Sequence, residues 1–368
     1  MKIKGAVSSA ILCALLLFQN TSTAETMTLK DGNFAVIHQG QDVIWGFEFI
    51  DSQSVLFTER SGSLRLLDLK AKKSTKVDID LAISAEGQGG LLDIRKHPDF
   101  ANNKWVYLTY SQKKAGQSTT ALARFELKDG KAENLKTIFS ANALSSNTIH
   151  YGSRIAFADD KTLFMSVGDR DERKKAQRLD AHNGKILRLT AEGQAAHGNP
   201  FAKTKDALPE IWSYGHRNPQ GLAYDSAEKI LYEAEFGPRG GDELNKIEPG
   251  KNYGWPEYTF GREYWGPKIG KGTEAKEIEA PLLNWVPSIS PSGIAFVEAD
   301  AKSKTSAVIY LSCLSGQHIR KAKKEAAGWV DSYERLLENA GLRFRDIRKG
   351  PDGKIYFSTD DGKIGRLE

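Results

Sequence analysis

The chain has 368 residues, 40% of them hydrophobic, with 52 basic against 47 acidic side chains. A charge this close to balance, with no basic run interleaved with aromatics, excludes an electrostatic nucleic-acid surface. Two cysteines and no Cys/His cluster exclude a disulfide framework and a zinc site of the usual spacing. No GxGxxG follows a strand and opens a helix, which excludes the usual nicotinamide-binding unit.

In chain order, the first feature is an export signal over residues 1–24. Lys2 and Lys4 give a positive start, Ala6 to Phe18 is apolar except for Ser8 and Ser9, and Ser22-Thr23-Ala24 places small residues at −3 and −1 of a cleavage site. Cys13 follows Leu12, where lipidation requires a small residue. Cleavage after Ala24 leaves 344 residues, 50 basic against 47 acidic side chains, and Cys313 as the lone cysteine. No further apolar run has the length of a membrane span. The expectation is a periplasmic or secreted protein without a membrane span, monomer or homodimer, with residues 25–368 as one domain.

Six pairs of short apolar strands follow: Ser54–Leu69, Trp105–Leu127, Thr162–Leu189, Ile230–Ile247, Ala307–Ile319 and Lys354–Leu367. The last is the plainest, with Lys354-Ile-Tyr-Phe-Ser alternating, Asp360-Asp361-Gly362 turning and Lys363-Ile-Gly-Arg-Leu returning. Six pairs in 344 residues give about 57 per unit, within the range of blades with inserted loops. The predicted class is all-β, a six-bladed β-propeller, with a β-sandwich or two smaller all-β domains as the alternative. The absence of a Pro- or Ser-rich linker favours one closed unit. One short helix is predicted within Trp329–Asn339.

Between these pairs lie segments too rich in Gly, Pro, His and charge for ordinary strands: Glu86–Leu92, Ile149–Arg154, Tyr214–Gly221, Glu235–Glu243, Lys251–Pro256 and Leu342–Asp346. In a propeller, loops of different blades converge at one end of the axis. Pooled there, one or two His, several Arg, amides and carboxylates suit a polyanionic ligand and a general base. Backbone carbonyls and acids around Gly237-Pro238 and Asp242-Glu243 suit a hard cation such as Ca²⁺.

Taken in order, the blocks GQGGLLDI, HYGSR with FMSVGDR, AQRLDAHNGKILRLT, EIWSYGHRNPQGLAYD, EFGPRGGDELNKIEPGKNYGWP, SISPSGIAF and RFRDIRKGPDGKIYFSTD resemble the pyrroloquinoline-quinone (PQQ)-dependent soluble aldose sugar dehydrogenases. The resemblance runs from about Trp45 to the C-terminus. It implies a six-bladed propeller that oxidises aldose sugars at C1 to lactones, with PQQ and Ca²⁺ as cofactors and an external electron acceptor. By position it implies His150 as catalytic base. Arg217 and Asn218 fall at the quinone oxygens, Arg343 and Arg345 at the cofactor's carboxylates, and Asp242 at the cofactor's edge. Gln88 and Asp169 fall near the base and the sugar, and Trp285 in the wall of the sugar site. The carbonyls of Gly237 and Pro238 match ligands of the calcium that touches PQQ; Glu243 and the carbonyl of Tyr253 match ligands of a second calcium. His97, His182 and His216 match no catalytic role.

One position departs from the pattern. Where the family commonly has a lysine for a PQQ carboxylate, the segment reads Leu311-Ser-Cys-Leu-Ser-Gly-Gln317, with Ser315 at that place. The departure keeps a second reading open, a non-catalytic propeller that binds carbohydrate or a partner through a degraded PQQ site. A calcium-dependent lactonase-type propeller is a third; it needs side-chain carboxylates around a central calcium, whereas Gly237-Pro238 offers carbonyls.

Overall fold

The computed structural model describes residues 26–29, 32–299 and 306–368; the expected signal at 1–24 lies outside them. The chain opens with β1 (Thr26–Leu29) and β2 (Gly32–Gln39). Blade one is β3 (Ile44–Phe49), β4 (Ser54–Glu59), β5 (Ser63–Asp68) and β6 (Lys73–Val77). Blade two is β7 (Leu91–Lys96), β8 (Trp105–Lys114), β9 (Gln117–Lys128) and β10 (Lys131–Ser140), and blade three β11 (Ile155–Phe157), β12 (Leu163–Val167), β13 (Lys185–Leu189) and β14 (Ile211–Tyr214). Blade four is β15 (Pro219–Asp225), β16 (Ile230–Glu235), β17 (Asp242–Ile247) and β18 (Leu283–Trp285). Blade five is β19 (Pro291–Val297), β20 (Val308–Cys313), β21 (Ile319–Glu325) and β22 (Gly328–Leu336), and blade six β23 (Phe344–Lys349), β24 (Ile355–Thr359) and β25 (Lys363–Leu367), completed by β2 and β1. All pairings are antiparallel, and β2 on β25 (Phe34 opposite Leu367) closes the ring.

The fold is thus the predicted six-bladed propeller, and five of the six predicted strand pairs are the two middle strands of a blade; Ala307–Ile319 takes in β20 and only the first residue of β21. A middle strand is covered on both faces by neighbouring blades, so it carries the apolar residues. Six cores fill the six blade junctions. Leu56, Ile94 and Leu108 pack between blades one and two. Tyr107, Leu163 and Leu187 pack between two and three, and Phe164, Leu222 and Leu231 between three and four. Tyr232, Ile294 and Ile309 follow, then Ile319, Phe344 and Phe357, then Phe47, Phe57 and Ile364. At about 1.5–3 kcal/mol per large buried side chain, these junctions are the main source of stability.

The predicted helix is not formed. Residues 328–336 are β22, followed by a 3₁₀ turn at Glu338–Ala340. Pairing of β22 with β21, and Trp329 packing on Tyr232 and Phe296, override the local helical pattern.

The innermost strands share a device. Five of them bulge near their start, at Ile44/Gly46, Leu91/Ile94, Pro219/Gly221, Pro291/Gly293 and Phe344/Asp346. A bulge leaves its extra residue out of the ladder. Here the extra carbonyls of Trp45, Gln220, Ser292 and Arg345 all receive hydrogen bonds from one side chain, Arg154 of blade three. Arg154 also reaches Asp93 of blade two at 3.1 Å and Asp346 of blade six at 3.2 Å, and stacks on Trp45 at 4.1 Å. One guanidinium therefore touches all six blades and fills the middle of the axis.

Candidate active site

On the other side of that plug is a cavity of about 250 Å³, walled by Val43, Trp45, Arg60, Gln88, Gln220, Phe236, Leu314, Arg343, Arg345 and Asp360. Five blades contribute, so the cavity sits at one end of the axis. Larger grooves of about 540 and 550 Å³ lie on the outer wall, at the blade three–four and blade six–one junctions; none of the sequence-predicted site residues lines either.

His150 comes from the loop before β11, and its backbone is left-handed (φ 54°), uncommon for a residue with a side chain. That conformation is held from two sides. The His150 N–H donates to Gln88 Oε1 at 2.8 Å. Across from it Gly168 is bare, and any Cβ there would overlap the His150 carbonyl. The ring is buried, and Nδ1 lies 2.7 Å from Asp169 Oδ1. Asp169 is itself fixed by Trp255 Nε1–H at 2.7 Å and the Asp171 N–H at 2.8 Å. A carboxylate only accepts, so Nδ1 carries the proton and Nε2 the lone pair. Burial holds His150 below the ordinary imidazole range, against the opposing pull of Asp169. Burial alone would raise Asp169, but its bond to His150 and the charge of Arg217 hold it below the usual carboxylate range.

Arg217 and Asn218 are buried at the start of blade four. Arg217 Nη1 donates to the Phe236 carbonyl at 2.9 Å, and Asn218 Oδ1 accepts from the Gly152 N–H at 3.1 Å. Among the described residues, Arg217 Nε and Asn218 Nδ2 have no partner. Two orphaned buried donors next to the His150 loop suit the oxygens of a bound ligand. Arg343 and Arg345, on either side of Phe344 at the bulge that opens β23, both line the cavity and donate through Nε to Asp360 at 2.9 and 2.8 Å.

Other expected residues lie differently. Asp242 does not face the cavity; its Oδ1 accepts from the Gly237 N–H, and Oδ2 from Ser288 Oγ and the N–H groups of Ile289 and Ser290. Four donors make it a bolt between two loops, one of which carries Gly237 and Pro238. Trp285 is packed in the blade four–five core and donates its indole N–H to Asp331, which accounts for its apolar character without a sugar. Ser315 pairs with the Ser290 hydroxyl at 2.6 Å, and Cys313 is a buried free thiol pushed up by burial.

At Gly237 the loop folds so tightly that a Cβ would overlap the carbonyls of Gly240 and Gly241. Pro238 O accepts from the Arg262 N–H at 2.9 Å and keeps a second lone pair. Crowded carbonyl oxygens of this kind fit a hard cation.

Glu243 belongs to a second cluster inside blade four. Glu233, Glu235, Glu243 and Asn245 share one face of β16 and β17, where Glu235 is opposite Glu243 and Glu233 opposite Asn245. His216 and Tyr253 close the cluster, with their rings stacked at 4.7 Å. Ligand atoms of His216, Glu233 and Glu235 lie within 4.8 Å of one another. Among the described residues, Glu233 Oε1 and Asn245 Oδ1 have no partner, and burial, with Glu235 close by, pushes Glu233 and Glu243 well above the usual range. Buried carboxylates with unused oxygens fit a divalent cation. The expected result is that Ca²⁺ raises the thermal midpoint over that in chelator; a hundredfold excess over Kd gives about 2.7 kcal/mol. Glu233→Gln should shrink the shift, and equal midpoints with and without Ca²⁺ would rule the cation out.

Sequence reasoning did not assign Trp255, Arg154 or Glu235, although all three stand within or beside the quoted blocks. Nor did it find Arg60, Trp45 or Asp360 as cavity residues: Arg60 and Trp45 lie outside the quoted blocks, and Asp360, at the end of the last block, reads as the start of a turn.

The chain belongs to the glucose/sorbosone dehydrogenase family, whose profile matches residues 41–367. It is 36% identical over 335 residues to the aldose sugar dehydrogenase YliI of Escherichia coli, covering 89% of this chain and 90% of that one. The crystal structure of the soluble aldose sugar dehydrogenase from Escherichia coli in the apo form superposes with a TM-score of 0.87 at 34% identity, covering 91% of this chain and 99% of that one. The PQQ-bound aldose sugar dehydrogenase of Streptomyces coelicolor gives 0.77 at 28%, covering 94% and 98%.

Proposed function

We propose that this chain is a PQQ- and Ca²⁺-dependent dehydrogenase that oxidises aldose sugars at C1 to lactones and acts after export to the periplasm or the medium. The observation that carries the reading is His150, paired through Nδ1 with Asp169 and tied through its N–H to Gln88, which lines the same cavity as Arg343 and Arg345. Bound there, the quinone would supply the electron sink, taking the C1 hydride and passing electrons to an external acceptor.

The chain's own residues do the rest. His150 Nε2 takes the proton of the C1 hydroxyl, and Asp169 stabilises the imidazolium that forms. Gln88 fixes the backbone of the base. Arg217 Nε and Asn218 Nδ2 donate to quinone oxygens and favour the negative charge that develops there. Arg343 and Arg345 hold cofactor carboxylates, and the Gly237 and Pro238 carbonyls hold the calcium. Glu243 and Tyr253, with Glu233 and Glu235, hold the second.

The test is reconstitution. Purified chain incubated with Ca²⁺ and PQQ should reduce a dye when glucose or another aldose is added, and not without PQQ. Absence of turnover at saturating PQQ would reject the enzyme and favour a binding propeller, the reading that the uncharged Ser315 keeps open.

A further inference from the structure

We infer that Arg60 is a third cationic contact for the carboxylates of the bound quinone, a role resting on the PQQ reading above. The charges around the cavity carry the argument. Its walls hold three guanidinium groups, Arg60, Arg343 and Arg345, and one carboxylate, Asp360. Asp360 is already shared by Arg343 and Arg345. Among the described residues Arg60 forms no ion pair; its Nη1 donates to the Gly87 carbonyl. A guanidinium has five donors, so one carbonyl leaves most of the fork for a planar anion. The loop at Ser315, after β20 of blade five, brings a hydroxyl paired with Ser290 and no charge.

Arg60 is also built into place. Its N–H donates to the Val43 carbonyl at 3.0 Å, and its own carbonyl accepts from the Leu91 N–H at 3.1 Å. Gly90 lies against it so closely that any Cβ would strike the Arg60 carbonyl and the Arg60 Cγ. The stem is therefore aimed at the cavity by a position where only glycine fits. The carbonyl that Arg60 holds is next to Gln88, whose side chain accepts from the His150 N–H. Arg60, and an anion on it, would thus be linked through Gly87 to the adjacent residue whose side chain fixes the base.

The experiment titrates Ca²⁺-loaded chain, made without PQQ, with PQQ and separately with PQQ trimethyl ester, following quenching of tryptophan fluorescence. Arg60→Met should weaken PQQ binding by roughly 10- to 100-fold, the range for a charge-assisted contact, and leave the ester's affinity within about threefold, because the ester offers no carboxylate to lose. Arg60→Lys should fall between Arg60→Met and wild type for PQQ. Equal losses for acid and ester would assign Arg60 to holding the 87–90 loop and overturn the inference; so would an unchanged PQQ affinity in Arg60→Met. If Arg60→Met does not fold, Arg60→Lys with the two ligands gives the same comparison. A wild-type chain without PQQ affinity would overturn the quinone reading itself, and this inference with it.

Discussion

His150→Asn should bind PQQ within about threefold of wild type and lose roughly 10²- to 10⁴-fold in turnover, the range for a positioned general base. Asparagine is the informative replacement because it tolerates the left-handed backbone at φ 54°, which alanine does not. Its N–H keeps the bond to Gln88, so the loop stays in place while the proton acceptor is lost. The partner change, Asp169→Asn, keeps an oxygen for Trp255 but removes the negative charge facing the imidazolium. It should lower kcat and move the acid limb of kcat/KM to lower pH. The sign follows from the groups around the ring. Burial and Arg217 depress His150, whereas Asp169 and Asp171 raise it. Removing Asp169 therefore depresses it further, and the neutral base persists to lower pH. In wild type the acid limb should already lie below the ordinary imidazole value of ~6.5. An acid limb that stays put in Asp169→Asn, or His150→Asn turning over like wild type, would remove this pair from the chemistry.

The largest expected loss of stability is at Arg154, not at the base. Arg154→Met fills similar volume but leaves Asp93 and Asp346 dependent on Arg348, which touches them at 2.9 and 2.8 Å, and takes a donor from four bulge carbonyls. Breaking a buried ion pair by removing one partner costs about 3–5 kcal/mol, which here lowers the unfolding midpoint by on the order of 10 °C. The deficit should narrow as pH falls. Burial pushes Asp346 above the carboxylate range even beside Arg154. Loss of one of the two cations beside it raises its folded value further, so the deficit shrinks toward acid, where the carboxylate is protonated. Thermal melts followed by circular dichroism at several pH values measure this. A midpoint within 2–3 °C of wild type would show that water replaces the guanidinium at little cost.

These two residues show what the sequence reveals and what it hides. The middle strands were legible because they are buried on both faces and so carry short apolar runs, as in Val55-Leu-Phe. The innermost strands were not, since bulges fill them with Pro, Gly, Ser and Asp, as in Pro291-Ser-Gly, which reads as a turn. The outer strands were hidden for the opposite reason. Lys73–Val77 and Lys131–Ser140 face solvent and are mostly polar, and Gly328–Leu336 imitated a helix. In the site, His150, Arg217, Asn218 and the arginine pair stood in dense blocks. Arg60 and Asp360 stand in ordinary hairpins and become cavity residues only when the ring closes. For Trp285 and Asp242 the sequence could not show the bracing they provide, because an aromatic or an acid beside a ligand loop looks the same whether or not it also holds the loop.

Ring closure has its own consequence for how the molecule assembles. The pairing of β2 with β25 joins residues more than 320 positions apart. The other junctions are local, so blades can accrete in order along the chain. The last contact must bring together two ends of a long polymer, whose closure entropy grows with chain length and is recovered only when the sixth blade locks. Until then the cavity lacks Arg343, Arg345 and Asp360, all from that blade. The chain therefore completes its ligand site in the same event that completes its fold.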